Sequence, residues 1–265
     1  MSDLYGLIGE RLGHSYSPII HREILKEIKM DGCYHLFEVK REDLKDALYG
    51  LKALGAKGVN VTIPYKVEVM KYLDALSGEA EAVGAVNTIA FENGSMVGYN
   101  TDYYGFGMLM KGSSIDIKGK RAVVLGSGGA ARAVVQYLKD NGAEKVVVVS
   151  RSAQNADFND VELIDYTRLA WLRFMDVIIN CTPCGMYPDI DCTPVSREIL
   201  NNFAAAVDLI YNPGKTLFLK LADEIGIKTV NGMQMLIGQA IKAQEIWNKI
   251  RIDLTIINSI SKKIR

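Results

Sequence analysis

The segment that most limits the fold is the apolar run Arg121–Leu125, followed at once by Gly126-Ser127-Gly128-Gly129-Ala130-Ala131. A run of this kind reads as a strand buried on both faces, and the glycines end it in a turn that opens a helix. The spacing is G-x-G-x-x-A. In that pattern Gly126 makes the tight turn, Gly128 lets the backbone approach a pyrophosphate, and Ala131 lets helix and strand pack closely. The helix N-terminus then faces the phosphates with free N–H groups and a positive dipole end. Gly126, Ser127, Gly128, Gly129 and Ala130 are therefore the candidate dinucleotide-binding residues. A plain strand-to-helix turn is the alternative, and the strand–glycine–helix order favours the dinucleotide site over it.

Val146–Val149, Val177–Ile179 and Ala205–Leu209 repeat the apolar character, with helical segments between them. Such alternation predicts an α/β domain with a parallel sheet covered on both faces. The end of the second strand bears on the cofactor. A site for NAD usually carries Asp or Glu there, on the ribose 2′-hydroxyl. This chain has Ser150-Arg151-Ser152 instead. A guanidinium favours a 2′-phosphate through charge-assisted hydrogen bonds, so the expected cofactor is NADP. A solvated loop arginine is the competing explanation of Arg151.

Upstream, Leu4–Ile8, Tyr34–Val39 and Gly58–Thr62 read as strands, Pro18–Ile28 and Glu42–Leu54 as helices. A further helical stretch starts at Lys66, and Val86–Phe91 and Ser95–Tyr99 flank Asn93-Gly94, a dipeptide favoured in tight hairpin turns. This is a second α/β unit ending in a hairpin. Lys111–Lys118, with Gly112, Ser113 and Ser114, is the linker candidate. Met235–Trp247 has helical periodicity, and spacing alone does not establish whether it returns to the first unit.

A chain of 265 residues is long enough for two modest cores. Lys+Arg and Asp+Glu both number 31, so no net field draws nucleic acid or an anionic membrane, and a small-molecule partner is expected. The N-terminus lacks a basic segment followed by an apolar one, and no apolar run approaches the roughly 18 residues of a membrane span. The expected location is cytoplasmic. A disulfide framework is therefore not expected from Cys33, Cys181, Cys184 and Cys192. Cys181-Thr-Pro-Cys184 matches C-x-x-C, but there is no second such pair, and His14, His21 and His35 lie far upstream. No metal site is expected.

Several polar clusters remain. Ser15 precedes Ser17-Pro18, which has the form of an N-cap with proline at N1. Two hydroxyls two residues apart also suit a carboxylate. Lys66 ends Asn60-Val-Thr62-Ile-Pro64-Tyr65-Lys66, and a solvated surface lysine is the default. A lysine serving as general acid or base needs its pKa brought down from about 10.4 by burial or a nearby cation. Asn87 lies on a strand, Asp102 has the look of a helix cap, and Gln239 sits in the last long helix, where a solvent-facing glutamine is unremarkable.

Taken together, these clusters resemble the shikimate dehydrogenase family. The resemblance rests on H-S-Y-S-P at 14–18, N-V-T-I-P-Y-K at 60–66, G-A-V-N-T at 84–88 and G-Y-N-T-D at 98–102. It continues through G-S-G-G-A-A-R at 126–132, D-L-I-Y-N-P at 208–213 and G-M-Q-M-L-I-G-Q at 232–239. The resemblance implies reversible, NADP-dependent reduction of 3-dehydroshikimate to shikimate, on the route to chorismate and the aromatic amino acids. Lys66 is then the catalytic acid and base, paired with Asp102. Ser15 and Ser17, helped by Tyr211, hold the substrate carboxylate, while Thr62, Asn87, Asp102 and Gln239 bind hydroxyls and the reacting oxygen. Ser150, Arg151, Ser152, Leu209 and Gly232 join the glycine turn at the cofactor.

The implied architecture is a substrate-binding domain at 1–102, completed by C-terminal helices at 233–265, and a Rossmann-like NADP domain at 103–232. A cleft between them is expected to hold the substrate and close on it, in a monomer or homodimer. The chain departs from the family in having Ala153, Gln154 and Asn155 after Ser152, without the usual second basic residue. That keeps open a quinate/shikimate dehydrogenase with some use of NAD. A non-catalytic sensor of nucleotide or shikimate is disfavoured by the presence of both Lys66 and Asp102. An unrelated Rossmann enzyme acting on folates leaves the Ser15/Ser17 loop and Gln239 without a purpose.

Overall fold

The computed structural model describes residues 2–13, 15–151, 158, 160–173 and 175–264. By its internal contacts the chain divides into two compact units, Met1–Gly105 with Ile237–Arg265, and Phe106–Leu236.

The first unit is built from β1 (Asp3–Gly9), α1 (Ser17–Glu27), β2 (Gly32–Glu38), α2 (Leu44–Ala53), β3 (Gly58–Val61), β4 (Ala75–Leu76), α3 (Gly78–Val83), β5 (Thr88–Glu92) and β6 (Ser95–Tyr99). Its sheet runs β2-β1-β3-β5-β6-β4. β2, β1 and β3 are parallel, whereas β5 pairs antiparallel with β3 and β6. Alternation along β1 sends Tyr5 and Ile8 to different cores. Ile8 joins Leu44 and Leu48 of α2, Val59 and Val61. Tyr5 joins Leu25 of α1 and residues Ala243 and Trp247. The hairpin turns at Asn93 and Gly94 with φ of 48° and 78°, both in the left-handed region that such two-residue turns need.

The second unit follows α4 (Thr101–Ser113), in which the division between units falls. It contains β7 (Arg121–Leu125), α5 (Gly129–Asp140), β8 (Lys145–Val149), β9 (Glu162–Ile164), α6 (Tyr166–Leu169), β10 (Val177–Asn180), α7 (Arg197–Leu200), β11 (Ala205–Asp208), α8 (Leu217–Glu224) and β12 (Lys228–Val230). The order β12-β11-β10-β7-β8-β9 is parallel throughout. Val123, Leu125, Val147 and Ile178 pack with residues of α6, α7 and α8, and the intervening Val124, Val148 and Ile179 are also buried. Burial on both faces is why these strands read as unbroken apolar runs. The chain closes with α9 (Met233–Asn248) and α10 (Ile256–Ile264).

Three expectations need correction. Lys111–Lys118 is not a free linker, because α4 runs through Lys111, Gly112 and Ser113. The Gln234 side chain lies over Gly112, its amide oxygen 2.3 Å from where a Cβ would sit. Lys66 lies in a turn rather than a helix, and only a short 3-10 segment, Glu68–Tyr72, follows it before β4. Asn87 stands one residue ahead of β5 rather than on it. The short strands β4, β9 and β12 carry too few residues to show a period, and the sequence reading passed over them.

Candidate active site

In the first unit, the turn after β3 presents Lys66, whose carbonyl accepts from the Val86 amide at 2.7 Å. Its ammonium donates to Oδ2 of Asp102 at 2.5 Å, with side-chain exposures of 14% and 8%. Asp102 sits in the first turn of α4, where the helix dipole favours a carboxylate. It is not the cap. Asn100 Oδ1 accepts from the Tyr103 amide at 3.1 Å, and Asn100 Nδ2 donates to the Ala85 carbonyl at 2.8 Å. With the capping done by Asn100, the Asp102 carboxylate is left for Lys66.

Asn87 is held at the same helix start. Its Oδ1 accepts from the Thr101 amide at 2.7 Å and from the Thr101 hydroxyl at 3.1 Å. The backbone donor settles which end of the amide is oxygen, so Nδ2 is the end left over. Among the described residues that Nδ2 has no hydrogen-bond partner, which makes it a donor for a ligand oxygen.

The serine pair differs from the expected cap. Tyr16 occupies the N-cap position of α1, Ser17 is already helical, and Pro18 follows in the first turn. The local acceptor is Ser15, whose Oγ takes the Ser17 amide at 3.2 Å. Ser17 is buried, and its hydroxyl is free of capping duty. His14, the residue before this pair in the motif, lies outside the described residues. Thr62 is half-buried just beyond β3, with its amide on the Ile8 carbonyl at 2.9 Å. Gln239 is half-buried on α9. The structure thus joins Lys66 to Asp102, and Asn87 to the residue beside Asp102, while Tyr211 belongs to the second unit, where it is half-buried after β11.

In that second unit the glycine turn sits where the strand order reverses, between β7 and its neighbours β8 and β10. Open α/β sheets bind ligands at such a switch point. Gly126 has φ of 105°, a conformation that favours glycine, and a Cβ there would also crowd Thr182 at 3.1 Å. Gly128 caps α5 with no side-chain hydrogen bond, and the space a Cβ would take is open. The first-turn amides of α5, Gly129 and Ala130 included, are thereby left for an anionic ligand. Ser127 and Ser150 share a hydroxyl contact of 3.0 Å, and Arg151 is exposed beside them. Its charge is felt at Tyr166, where it partly offsets the burial that raises that phenol. Gly232 is required by close approach, because a Cβ would stand 2.0 Å from the Leu209 carbonyl oxygen. A dinucleotide with an anionic ribose substituent fits this surface. Ser152 lies outside the described residues.

Sequence reasoning missed a buried polar cluster beneath these loops. Asp208 accepts from Asn180 Nδ2 at 3.0 Å, the Ile210 amide at 3.1 Å and the Thr216 hydroxyl at 2.6 Å. Burial pushes its carboxyl up to about 6, against the opposing effect of those bonds. Asn180 Oδ1 in turn accepts from the Thr182 amide and hydroxyl, shaping the loop after β10. The available signal was a polar residue ending an apolar strand, Asn180 in VIIN and Asp208 in AAVD.

The expectation of no disulfide also fails. Cys184 and Cys192 are joined, with Cα atoms 5.5 Å apart, while Cys181 is not in a disulfide. The reason is local folding of the loop, since Gly185 lets the Cys192 carbonyl come where a Cβ would meet it at 2.9 Å. The C-x-x-C pair is not the bonded one.

A family model described as the shikimate dehydrogenase substrate binding domain matches residues 7–89, and one described as shikimate / quinate 5-dehydrogenase matches 109–186. A shikimate dehydrogenase (NADP(+)) of Clostridium perfringens is 48% identical over 99% of this chain and 98% of its own length. The chain belongs to the shikimate dehydrogenase family. Among solved structures, a chorismate mutase/shikimate 5-dehydrogenase fusion protein from Clostridium acetobutylicum matches with a TM-score of 0.95 and 49% identity, over 100% of this chain and 97% of that one. The shikimate 5-dehydrogenase of Thermus thermophilus, in complex with NADP(H) and shikimate, matches with a TM-score of 0.89 and 31% identity, over 99% of this chain and 100% of that one. The substrate-domain match falls in the unit that holds Lys66, Asp102 and Asn87. No helix among the described residues is long and apolar enough to cross a membrane.

Proposed function

We propose that this chain is a cytoplasmic, NADP-dependent shikimate dehydrogenase that reduces 3-dehydroshikimate reversibly to shikimate. The observation that carries the reading is the pair of half-buried Lys66 and buried Asp102, set beside an asparagine whose amide donor is left for a ligand. The resemblance to relatives of that activity over nearly the whole chain supports it.

NADP would lie on the Gly126–Ala130 turn with Ser150 and Arg151 at its 2′-phosphate, near Leu209 and Gly232, and its nicotinamide would give a hydride when reduced and accept one when oxidised. The chain's own residues do the rest. Ser15 and Ser17 hold the carboxylate of the substrate, while Thr62, Asn87, Asp102 and Gln239 take its oxygens. In reduction, Lys66 Nζ gives a proton to the carbonyl oxygen as the carbonyl carbon becomes tetrahedral. In oxidation, the same nitrogen takes the proton from the hydroxyl. Asp102 Oδ2 holds Nζ in place and balances the charge of the half-buried ammonium. Neutral polar groups suit a polyhydroxylated acid, because a pocket built for a hydroxyl rejects an analogue lacking it by about 10⁴–10⁵.

The test is absorbance of reduced nicotinamide with purified protein, shikimate and either NADP or NAD. Turnover with shikimate and NADP, slower with NAD and slight with quinate, is expected. No turnover with any pair overturns the assignment. The lack of a second cation after Arg151 favours one second reading, a quinate/shikimate dehydrogenase using NAD, and rapid quinate oxidation with NAD would select it.

A further inference from the structure

We infer that Asn180 and Asp208 are positioning residues for the cofactor, a buried amide–carboxylate pair that sets the loops after β10 and β11 for the nicotinamide half of NADP. The inference rests on the reading of the Gly126–Ala130 turn, Leu209 and Gly232 as the cofactor site.

Parallel pairing puts Leu125, Asn180 and Asp208 side by side on β7, β10 and β11, each the last residue of its strand. The residue after each of them, Gly126, Cys181 or Leu209, opens a loop. Ligands of an open α/β sheet lie outside this carboxyl edge. Arg151 follows β8, which flanks β7 on the side away from β10. A dinucleotide with its 2′-phosphate at Arg151 and its pyrophosphate on the glycine turn therefore extends its nicotinamide over the ends of β10 and β11.

The polar atoms of the pair are bound to those loops. Asn180 Oδ1 accepts from the Thr182 amide at 3.0 Å and from its hydroxyl at 2.6 Å. Asn180 Nδ2 donates to Asp208 Oδ1 at 3.0 Å and to the Cys184 carbonyl at 3.4 Å. The Thr182 hydroxyl accepts from the Cys184 amide at 3.3 Å. Asp208 takes the Ile210 amide on Oδ1 and the Thr216 hydroxyl on Oδ2. The loops held in this way reach the cofactor residues. Thr182 Cγ2 lies 3.1 Å from where a Cβ on Gly126 would sit, and the Ile210 carbonyl accepts from the Gly232 amide at 3.1 Å. All of these residues belong to the second unit.

The sheet itself does not call for a polar pair. Val149 and Leu125 continue the same row across β8 and β7, and they are as fully buried as Asn180 and Asp208. Two more aliphatic side chains would pack there without the cost of desolvating a carboxylate. What the pair adds is direction. With both ends of its amide committed, Asn180 cannot turn without releasing Thr182 or Asp208. The glycine turn is secured separately, by the Gly126 amide on the Val149 carbonyl at 2.8 Å and by the Ser127–Ser150 contact. Loss of the pair is therefore felt at the nicotinamide end and not at the 2′-phosphate.

The experiment is isothermal titration calorimetry of the purified full chain with NADP, NAD and adenosine 2′,5′-bisphosphate, at a temperature where circular dichroism shows each variant folded. Asp208→Ala is expected to raise Kd for NADP and for NAD by the same factor, about tenfold, the order of one lost hydrogen bond to a charged group. The bisphosphate carries the 2′-phosphate end without the nicotinamide, and its Kd stays close to that of the parent chain. Asp208→Asn keeps an acceptor for Asn180 and the Ile210 amide, and its new amide can donate to the Thr216 hydroxyl, so it recovers most of the lost affinity. An unchanged Kd in Asp208→Ala with only a lower thermal midpoint marks a purely structural pair and overturns the inference. Equal weakening of the bisphosphate, or Asp208→Asn as weak as Asp208→Ala, overturns it too. If the parent chain binds neither NADP nor NAD, the cofactor reading falls first and the inference with it. Should Asp208→Ala fail to fold, Thr182→Val carries the test. Valine keeps the shape and removes the hydroxyl shared by Asn180 and the Cys184 amide, so a raised Kd for NADP and NAD supports the inference and an unchanged one ends it.

Discussion

At the scale of single residues, the chemistry depends on which partner each polar group is given. Lys66 and Asp102 face one another because Asn100 has taken over the capping of α4. Lys66→Ala is expected to lower kcat by about 10²–10⁴, the ordinary value of positioned acid–base catalysis, with the thermal midpoint nearly unchanged. Steady-state kinetics beside a thermal melt check both halves, and an unchanged kcat removes Lys66 from the mechanism. Arg151 is the matching residue of the second unit. A charge-assisted hydrogen bond is worth roughly 1.5–3 kcal/mol, and exposure places Arg151 near the low end, so Arg151→Ala raises KM for NADP about tenfold. KM for NAD, which has no 2′-phosphate, stays within about twofold. Equal changes for the two cofactors would mean that Arg151 only faces solvent.

At the scale of elements, α9 is the piece whose place matters most to the first unit. Trp247 lies on it, buried, with its ring stacked on Tyr5 at 5.1 Å and its indole N–H on the Ile89 carbonyl at 2.9 Å. Gly58 makes room for that indole, since a Cβ there would stand 1.9 Å from Nε1. Trp247→Ala therefore opens a cavity over β1, β3 and β5 and removes a partner from the Ile89 carbonyl. Loss of about 3–5 kcal/mol is expected, read as a lower urea midpoint. A midpoint within error of the parent would show that α9 is not part of this core. The last helix, α10, is tied by Lys263 to Glu23 of α1 at 2.7 Å, a buried carboxylate that Lys26 also reaches at 2.9 Å. These hydrogen bonds, from Lys263 and then Lys26, hold the Glu23 carboxyl down at about 2.

At the scale of the whole molecule, His21 and Asp208 are expected to pull the acid responses of their two units in opposite directions. His21, in the first, is lowered from 6.5 to about 3, chiefly by burial. Between those values the unfolded chain binds a proton that the folded histidine refuses, so its contribution is complete above 6.5 and is lost as pH falls. Asp208, in the second, is raised from 3.8 to about 6. There the folded form binds the proton first, so stability is greatest below 3.8 and declines by about 3 kcal/mol as pH rises through 6. Hydrogen exchange, corrected for intrinsic rate, at about pH 4.5 and about pH 7 separates the two. Amides of β1 and β3 should lose protection at the lower pH, while those of β10 and β11 gain it. Asp208→Asn, which keeps the acceptor and has no proton to exchange, should abolish the second change alone. A parallel response of both units would refute the opposition.

The long elements and the cofactor turn were legible in the chain because their causes are local. Apolar runs mark β7, β8, β10 and β11, helical spacing marks α1 and α9, and Gly126 and Gly128 announce a turn that only glycine makes easily. The family motifs named Lys66, Asp102 and Asn87 from order alone. The partners of those residues were decided by the tertiary structure. Whether Asp102 caps a helix or meets a lysine depends on Asn100 reaching Ala85, fifteen residues away. Whether Ser17 caps α1 depends on Ser15 taking its amide. Gly112 reads as flexible until Gln234 is seen against it, and Cys184 finds Cys192 through the turn at Gly185 rather than Cys181 through C-x-x-C. A residue's type limits the bonds it can make, but the neighbour that completes each bond comes from a distant part of the chain, and only the packed fold brings the two together.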